Sequence, residues 1–441
     1  MRADRSVPAF RGAFCEVTMI RHRFYYGWVI VAVSYLTLFM ALGIRYSYGV
    51  FFVAIVREYG WSRGATAGAF SVAMITHALF APVTGTLIDR YGPRKFFPLG
   101  AILLTLGLVA ASRISSLWHL YAFFGVIIAS GINTLSYSPH MSIVPKWFVR
   151  RRGLASGLVL SGIGMGTMAL APLCESVIES AGWRAAFLVL ASLTLFVIFP
   201  ITALFHRRSP ADVRQRPEDF EGPTPPQGEC FPEKSTPPRR APRLWTLNQA
   251  LRTKAFWHTT ALVFCNGVFV NMLLVHQVAH VVDAGFSEML AASALGLVGL
   301  IGSAGGILGG LLSDRIGREK AYTLGSAAAF VGLFLLMLVH DNTATWMLYG
   351  FVVLYGAGYG TMLPVTASTT GDLFPGNSLG RILAIQSIGY GLGGALGPFL
   401  GGYFHDLTGS YVVPFLISML SVAIAIYSIW MAAPRHTRIS C

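Results

Sequence analysis

The sequence of 441 residues contains little charge. Asp, Glu, Lys and Arg together make up 12% of it, about half the share found in an average soluble domain. Acidic residues are the scarcer sign, 19 against 33 Lys and Arg, and none lies in the middle of a long apolar run. With 54% hydrophobic residues, the composition excludes an ordinary soluble fold and indicates a membrane protein.

Residues that carry enzymatic or redox chemistry are also few. The cysteines are odd in number, scattered and without metal-ligand spacing, which argues against a disulfide framework. They are Cys15, Cys174, Cys230, Cys265 and Cys441. The apolar runs hold no metal cluster, nucleophile–base pair or phosphate-binding glycine loop. We therefore expect neither an enzyme nor a bound cofactor or metal.

Twelve apolar runs are long enough to cross a bilayer, which takes about 20 residues each. Six precede and six follow one long polar segment. We number them as spans 1 to 12, at residues 25–52, 66–88, 96–112, 117–140, 153–175, 183–205, 256–282, 289–312, 321–340, 345–370, 382–403 and 411–433. The predicted fold is an all-α membrane protein with two six-helix bundles.

The polar segment, residues 206–254, is rich in proline and mixed charge, so it cannot bury a core. We interpret it as a solvated linker; the alternative is that its Arg and Lys contact anionic lipid head groups. The predicted organisation is a tail (1–24), an N-terminal bundle (25–205), the linker (206–254), a C-terminal bundle (255–433) and a second tail (434–441).

The net charge of +14 is distributed by membrane side. Only Arg57, Arg63, Arg113 and Arg184 lie in the loops on one side, and apart from Arg45 all other Lys and Arg lie on the other. This positive-inside bias places both termini and the linker in the cytoplasm and the protein in the inner (plasma) membrane. The basicity thus reports topology, and we expect no nucleic-acid partner.

One charged motif occurs twice, at residues 85–95 and, 225 positions later, at 310–320. Each copy follows one apolar run and precedes another, so it occupies the same turn of each half. The chain is therefore a duplication, and duplicated bundles with a site between them are typical of secondary transporters. Transport is the leading interpretation.

These features resemble the major facilitator superfamily. The resemblance rests on the paired Gly-x-x-x-Asp-Arg-x-Gly motif, the six-plus-six layout and the central linker. Within that superfamily, Tyr26-Gly27-Trp28 and the segment 147–157 resemble signatures of the monocarboxylate transporters and oxalate/formate antiporters. The resemblance implies the major facilitator fold, with spans 1, 4, 7 and 10 lining a central cavity.

The repeated motif predicts gates between the halves. Pseudosymmetry would set Asp89 against Arg381 and Asp314 against Arg152, as latches on the cytoplasmic side; alternatively, these charges only fix topology. The predicted gating residues are Asp89, Arg90, Gly92, Arg152, Asp314, Arg315, Gly317 and Arg381.

Arg45 is the one cation well inside a span, and no mid-span Asp or Glu offers it a partner. A buried guanidinium needs acceptors, so a carboxylate of the substrate could supply the missing charge. The alternative is that Arg45 extends to the outer interface. Spans 8 and 11 lack the cations that the resembled carboxylate transporters and the oxalate exchanger use there, so either Arg45 replaces them or the cargo is not a simple small carboxylate.

Other polar residues recur on helical faces, although membrane Tyr and Asn often serve only to join helices. The predicted substrate-binding residues are Arg45, Tyr46, Asn133, Tyr137, Asn271, His276, Tyr355, Tyr359, Gln386 and Tyr390. Histidine can titrate near neutrality, and the candidates for proton coupling are His77, His276 and His280. Each could instead be a packing residue, with a proton carried by water or substrate.

The sequence therefore favours a monomeric secondary transporter that moves a small organic anion, with a monocarboxylate favoured, by proton symport or anion exchange. The expected partners are this anion, protons and membrane lipids. An efflux carrier for an apolar drug or metabolite is the alternative. A membrane sensor is disfavoured because the linker and tails contain no folded signalling module.

Overall fold

The computed structural model describes residues 25–148, 151–213, 215, 245–343, 345–376 and 378–432. The predicted tails, 1–24 and 434–441, and most of the predicted linker lie outside these ranges. Every regular element in the described part of the chain is helical. Eleven of these helical stretches are long and apolar enough to cross a membrane.

Six helices form the N-terminal half, and we name them α1 to α6. In α1, two segments follow each other, Gly27–Tyr46 and Tyr48–Tyr59; α2 is Arg63–Tyr91 and α3 is Pro93–Ala111. In α4, the pieces are Leu117–Leu120, Tyr121–Ile128, Ala129–Thr134, Tyr137–Ile143 and Val144–Lys146. The helices α5 and α6 lie within Arg152–Leu193, and α6 continues through Thr194–Ile198 and Phe199–Phe205.

The C-terminal half repeats the pattern. Its helices are α7 (Lys254–Asp283), α8 (Glu288–Ile316), α9 (Arg318–Met337), α10 (Thr345–Leu373), α11 (Leu379–Thr408) and α12 (Val412–Ala432). A short helix, Leu247–Leu251, precedes α7 and begins with a capping box between Thr246 and Gln249. The last part of the predicted linker is therefore helical rather than a tether.

The stretch from Arg152 to Phe205 contains two spans because the chain reverses at Gly182, which separates α5 from α6. Gly182 has φ 83° and ψ 161°, close to the values of Gly92 (74°, 163°) and Gly317 (97°, 158°). Such positive φ angles favour glycine, since a Cβ would be strained there. Counted this way, the twelve predicted spans are all present as helices.

The two halves meet mainly along two helix pairs, α5 with α8 and α2 with α11, and the second segment of α1 also packs against α7. Small residues allow close approach: a Cβ on Gly164 of α5 would overlap the backbone of Gly299 in α8. Likewise, a Cβ on Gly402 of α11 would collide with the first residues of α2 at Arg63 and Gly64.

Among the described residues, the close contacts between the halves lie in the middle of the bundle and toward one side of it. We call the side with the Gly92 and Gly317 turns the linker side, and the side with the Gly60, Gly285 and Gly409 turns the far side. The glycines of α5, α8 and α11 near the linker side have open space where a Cβ would lie. These are Gly153, Gly157, Gly310 and Gly380. The halves are therefore joined on the far side and separated by a cleft that opens to the linker side.

Adding volume at the contact between the halves should destabilise this arrangement. We expect Gly164→Val to cost about 1–3 kcal/mol, because Gly299 backbone atoms leave no room for the side chain. Thermal unfolding of the purified protein in detergent checks this. Gly157→Val is the matched control on the same helix, where nothing lies within 4 Å of the Cβ position. Equal melting temperatures for the two variants would contradict the packing described here.

Candidate functional site

A bend in α1 sets the position of Arg45. The helix is interrupted at Ser47, whose hydroxyl donates to the carbonyl oxygen of Gly43 at 2.8 Å. Arg45 lies two residues before this point and is 9% exposed. The guanidinium is therefore held inside the N-terminal half near the middle of the protein and does not reach either surface.

The guanidinium of Arg45 has weak partners. Its Nη2 lies 2.8 Å from the thioether sulfur of Met74, and the aromatic rings of Tyr46 and Phe70 have their centroids 6.0 and 5.9 Å from its Cζ. Its Nε is buried without an acceptor, and no carboxylate pairs with it in the described part of the chain. A charge buried in this way costs several kcal/mol unless a partner arrives.

A small apolar pocket adjoins Arg45. It lies between α1, α2 and α4 and has room for about one water molecule. Its lining residues are Arg45, Ala73, Met74, His77, Phe124, Ile128, Ala129 and Ile132. Anything larger than water must therefore approach Arg45 from the cleft between the halves.

Tyrosines from both halves surround this approach. The hydroxyl of Tyr46 lies within electrostatic range of the hydroxyls of Tyr137, Tyr355, Tyr359 and Tyr390. Arg45 in turn is within range of Tyr137 and Tyr390. The five tyrosines, which we call the tyrosine cluster, thus group around Tyr46 from α1, α4, α10 and α11, and Tyr46, Tyr137 and Tyr390 are the members near Arg45.

The surrounding structure orients these rings. Tyr355 and Tyr359 stack with their centroids 5.8 Å apart, and Phe269 packs edge-on against Tyr355. In α4, the helix breaks at Leu135 and Ser136, immediately before Tyr137. The ring of Tyr137 is 39% exposed, which places it on the wall of the cleft.

Two predicted asparagines lie beside the cluster. Asn271 donates to the carbonyl oxygen of Gly267 at 2.9 Å and is within side-chain hydrogen-bonding range of Tyr390. Asn133 is buried, and its Nδ2 lies 3.5 Å from the carbonyl oxygen of His77. His77 contributes to the pocket beside Arg45.

Gln386 is buried, and both polar atoms of its side-chain amide form hydrogen bonds within the protein. Its oxygen accepts from Thr370 at 2.9 Å and its nitrogen donates to Thr259 at 2.8 Å. These bonds join α7, α10 and α11 within the C-terminal half. In this structure the Gln386 amide is thus engaged within the C-terminal half, and its contact with substrate remains a prediction.

His276 and His280 lie toward the far side, away from the tyrosine cluster. His276 hydrogen-bonds to the carbonyl oxygen of Pro398 at 2.8 Å and to the hydroxyl of Tyr411 at 3.3 Å. His280 hydrogen-bonds to the carbonyl oxygen of Leu336 at 2.9 Å. Both form part of the packing beneath the far-side surface, so the structure does not group His276 with the other predicted substrate residues.

Of the predicted linker-side latches, the one between Asp314 and Arg152 is not formed among the described residues. Asp314 pairs with Arg318 at 2.6 Å, and Arg318 also binds Asp372 at 3.0 Å, all within the C-terminal half. Arg152 donates to the carbonyl oxygen of Phe148 at 2.7 Å, and Arg381 is exposed.

Of the remaining predicted gating residues, Arg90 and Arg315 are exposed, and the side chain of Asp89 lies outside the described part of the structure. Because the halves are apart on the linker side in this structure, latches between them remain a prediction for a state in which that side is closed.

A cluster of charges that the sequence did not predict joins the halves on the far side, and we call it the α2–α11 clasp. Arg63 makes a bidentate pair with Asp283, at 2.5 and 2.9 Å, and donates to Tyr411 at 2.8 Å. Asp406 accepts from the backbone amides of Arg63 and Gly64 at 2.9 and 2.7 Å, at the N-terminus of α2. Burial raises the pKa of Tyr411, which keeps its hydroxyl neutral.

A second far-side cluster, the α5–α8 clasp, consists of Arg57, Glu175 and Glu288. Arg57 at the end of α1 forms an ion pair with Glu288 at the start of α8. The signal for both clasps was present in the sequence, since Arg57 and Arg63 are two of the four arginines that break the positive-inside pattern.

The profile of the Major Facilitator Superfamily matches residues 34–362 and 308–440. The chain belongs to this superfamily. Its relatives include monocarboxylate transporter 13 of Bos taurus, 29% identical over 89% of this chain and 86% of that protein. Monocarboxylate transporter 12-B of Danio rerio is 27% identical over 92% and 87%.

A solved structure of the same fold is that of a bacterial homolog of the human lysosomal transporter Spinster, described as inward-facing and occupied. It matches with a TM-score of 0.64 and 16% identity, over 94% of this chain and 97% of that one. Together with the family match, it confirms the predicted major facilitator fold and a transporter with multiple membrane spans.

Breaking the α2–α11 clasp should open the far side. We expect Asp283→Asn to shift the population toward far-side-open molecules several-fold, since this partly exposed ion pair contributes on the order of 1 kcal/mol. Spin labels at Arg113→Cys and Asn342→Cys, exposed positions in far-side turns of the two halves, measure the separation.

Asp341→Asn is the control, an exposed far-side carboxylate outside both clasps. If Asp283→Asn leaves the distribution of label distances the same as this control does, the clasp does not hold the halves together.

Proposed function

We propose that this protein is a secondary transporter for a small organic anion, with a monocarboxylate as the favoured cargo. The observation that carries the proposal is Arg45, a buried guanidinium that has no carboxylate partner among the described residues. The tyrosine cluster around it belongs to both halves. An anion bound there would contact the two bundles at once.

The chemistry of the site suits a carboxylate. A guanidinium can hold both oxygens of a carboxylate through parallel, charge-assisted hydrogen bonds. The hydroxyls of Tyr46, Tyr137 and Tyr390 lie close enough to supply further donors. The apolar residues behind Arg45, among them Phe124 and Ile128, suit the hydrocarbon part of such a cargo.

Alternating access follows from the arrangement of the halves. The far side is joined by two clasps, and the cleft opens to the linker side. Positive residues concentrate on the linker side. We therefore place the linker side and both termini in the cytoplasm, and the protein in the inner (plasma) membrane. Transport then requires the clasps to open and the linker-side ends to close, in symport with protons or in exchange for another anion.

The name of several relatives, monocarboxylate transporter, supports the same class of cargo. The absence of a cation from residues 290–307 of α8 distinguishes this chain from the transporters it resembles. We assign that missing charge to Arg45 in α1.

Neutralising Arg45 should remove anion binding. We expect Arg45→Gln to weaken binding of mono- and dicarboxylates about 10- to 100-fold or more, because the variant loses hydrogen bonds to a charged group worth about 1.5–3 kcal/mol. Ligand-induced thermal shifts of the purified protein measure binding, and uptake into proteoliposomes measures transport. Arg113→Gln, at an exposed far-side position, is the matched control.

Carboxylate binding that survives Arg45→Gln would refute the assignment of Arg45. Efflux of an apolar compound by both the parent and the Arg45→Gln protein, with no carboxylate response in either, would establish the alternative cargo.

A further inference from the structure

Two carboxyl groups meet across the halves in the α5–α8 clasp. Glu175 of α5 is only 4% exposed, and the side chain of Glu288 at the start of α8 is 26% exposed. The antiparallel register of α5 on α8, with Gly164 against Gly299 and Met168 against Gly296, sets Glu175 beside Glu288. Two ionised carboxylates cannot share a hydrogen bond, because both only accept. A hydrogen bond between these carboxyls therefore needs one proton.

The charges around Glu175 do not remove this requirement. The nearest titratable neighbours on the elements packed against it are Glu288, Glu179, Arg57 and the Cys174 thiol. Arg57 is the only cation of this set and is already paired with Glu288.

Arg184, the next cation on the far side, is also in an ion pair. Arg184 pairs with Glu58 at 2.7 Å, and Glu58 also accepts from the indole of Trp183. Among the described residues, Glu175 therefore has no cation of its own, and no protein donor hydrogen-bonds its carboxyl.

Comparison of the two duplicated halves shows where this excess of acidic residues arises. Glu288 follows Arg63 by 225 positions, the same interval as the repeated motif. Each is the first residue of its helix and follows a serine N-cap, Ser62 or Ser287. The equivalent position therefore carries a cation in the α2–α11 clasp and an acid in the α5–α8 clasp.

The consequence differs between the two clasps. Arg63 is paired with the carboxylate of Asp283, and this contact involves no shared proton between acids. Glu288 instead faces a buried acid, and this contact is attractive only while a proton is present, since burial and a like charge both disfavour ionisation.

We propose that Glu175 and Glu288 bind one proton between them and form the site at which protonation is coupled to closure of the far side. With the proton in place, the carboxyls hydrogen-bond and the halves stay joined. When the proton leaves, two adjacent carboxylates repel and the far side opens. This inference rests on the proposed transport function and assigns the coupling ion to carboxyls in place of the histidines considered from sequence.

The test uses the full-length protein in nanodiscs with spin labels at Arg113→Cys and Asn342→Cys, in a background with the native cysteines replaced by serine. We expect the far-side distance to increase as pH rises. We expect Glu175→Gln, which is neutral at every pH and keeps the hydrogen bond, to remain closed, with the far-side-open fraction at high pH reduced on the order of tenfold.

Glu179→Gln is the matched control, an exposed carboxylate one turn further along the same helix. It should retain the pH response of the parent. The proposal is overturned if the parent shows no pH-dependent opening, if Glu175→Gln opens as the parent does, or if Glu179→Gln abolishes the response equally. The last two outcomes would place the titrating group elsewhere, for example at His405, whose Nε2 lies 4.0 Å from Asp283 of the α2–α11 clasp.

Failure of the proposed cargo is distinguishable from failure of the proton site. Arg45→Gln should lose carboxylate binding while its far side still opens with rising pH. A Glu175→Gln protein should still bind carboxylate, because the pair lies at the far side and not among the residues around Arg45. Loss of pH-driven opening in Arg45→Gln as well would contradict a proton site separate from the anion site.

Discussion

The buried charge of Arg45 is the constraint on which the rest of the site depends. A guanidinium with a thioether and two rings as neighbours is a poor arrangement for a resting protein, because thioethers are weak acceptors and cation–π contacts of this kind contribute about 1–2 kcal/mol. In the proposed function, a visiting anion would remove that penalty. The bend in α1 and the tyrosines of both halves would then act together, with bound cargo in contact with the two bundles.

A transporter must also change conformation to release its cargo, and the distribution of ion pairs indicates how this change is possible. On the far side, residues of one half bind residues of the other; on the linker side, Asp314, Arg318 and Asp372 bind within one half. Partly exposed pairs each contribute on the order of 1 kcal/mol, so exchanging a few of them can reverse a conformational preference without stabilising one state permanently. Cargo affinity is then sufficient to decide between states.

Much of the fold could be predicted from sequence because its signals are local or repeated. Apolar runs and the duplicated motif require no knowledge of three-dimensional contacts, and the face of α10 that carries Tyr355 and Tyr359 follows from helical spacing alone. Helical spacing does not show which residues a side chain contacts. In the sequence, Gln386 is a polar residue of a membrane helix, as is Tyr390 one turn away. Its amide nevertheless hydrogen-bonds to Thr259 and Thr370.

The clasps escaped prediction for a related reason. Arg63 and Asp283 are 220 positions apart, and only the docking of the two halves brings them together. The sequence could show that Arg63 lies on the unusual side for a cation, but not what it binds.

Duplication supplies a further argument about coupling. Two halves built alike will tend to place equivalent residues at equivalent joints, and identical charges there would make both joints respond alike. At the start of α2 and of α8 the chain instead carries Arg63 and Glu288. The first joint is held by ion pairs of Arg63, while at the second the contact between Glu175 and Glu288 needs a proton to be attractive. A transporter that must release both joints to open gains dependence on a proton from this single divergence, without an ionised acid in the membrane interior beside its cargo.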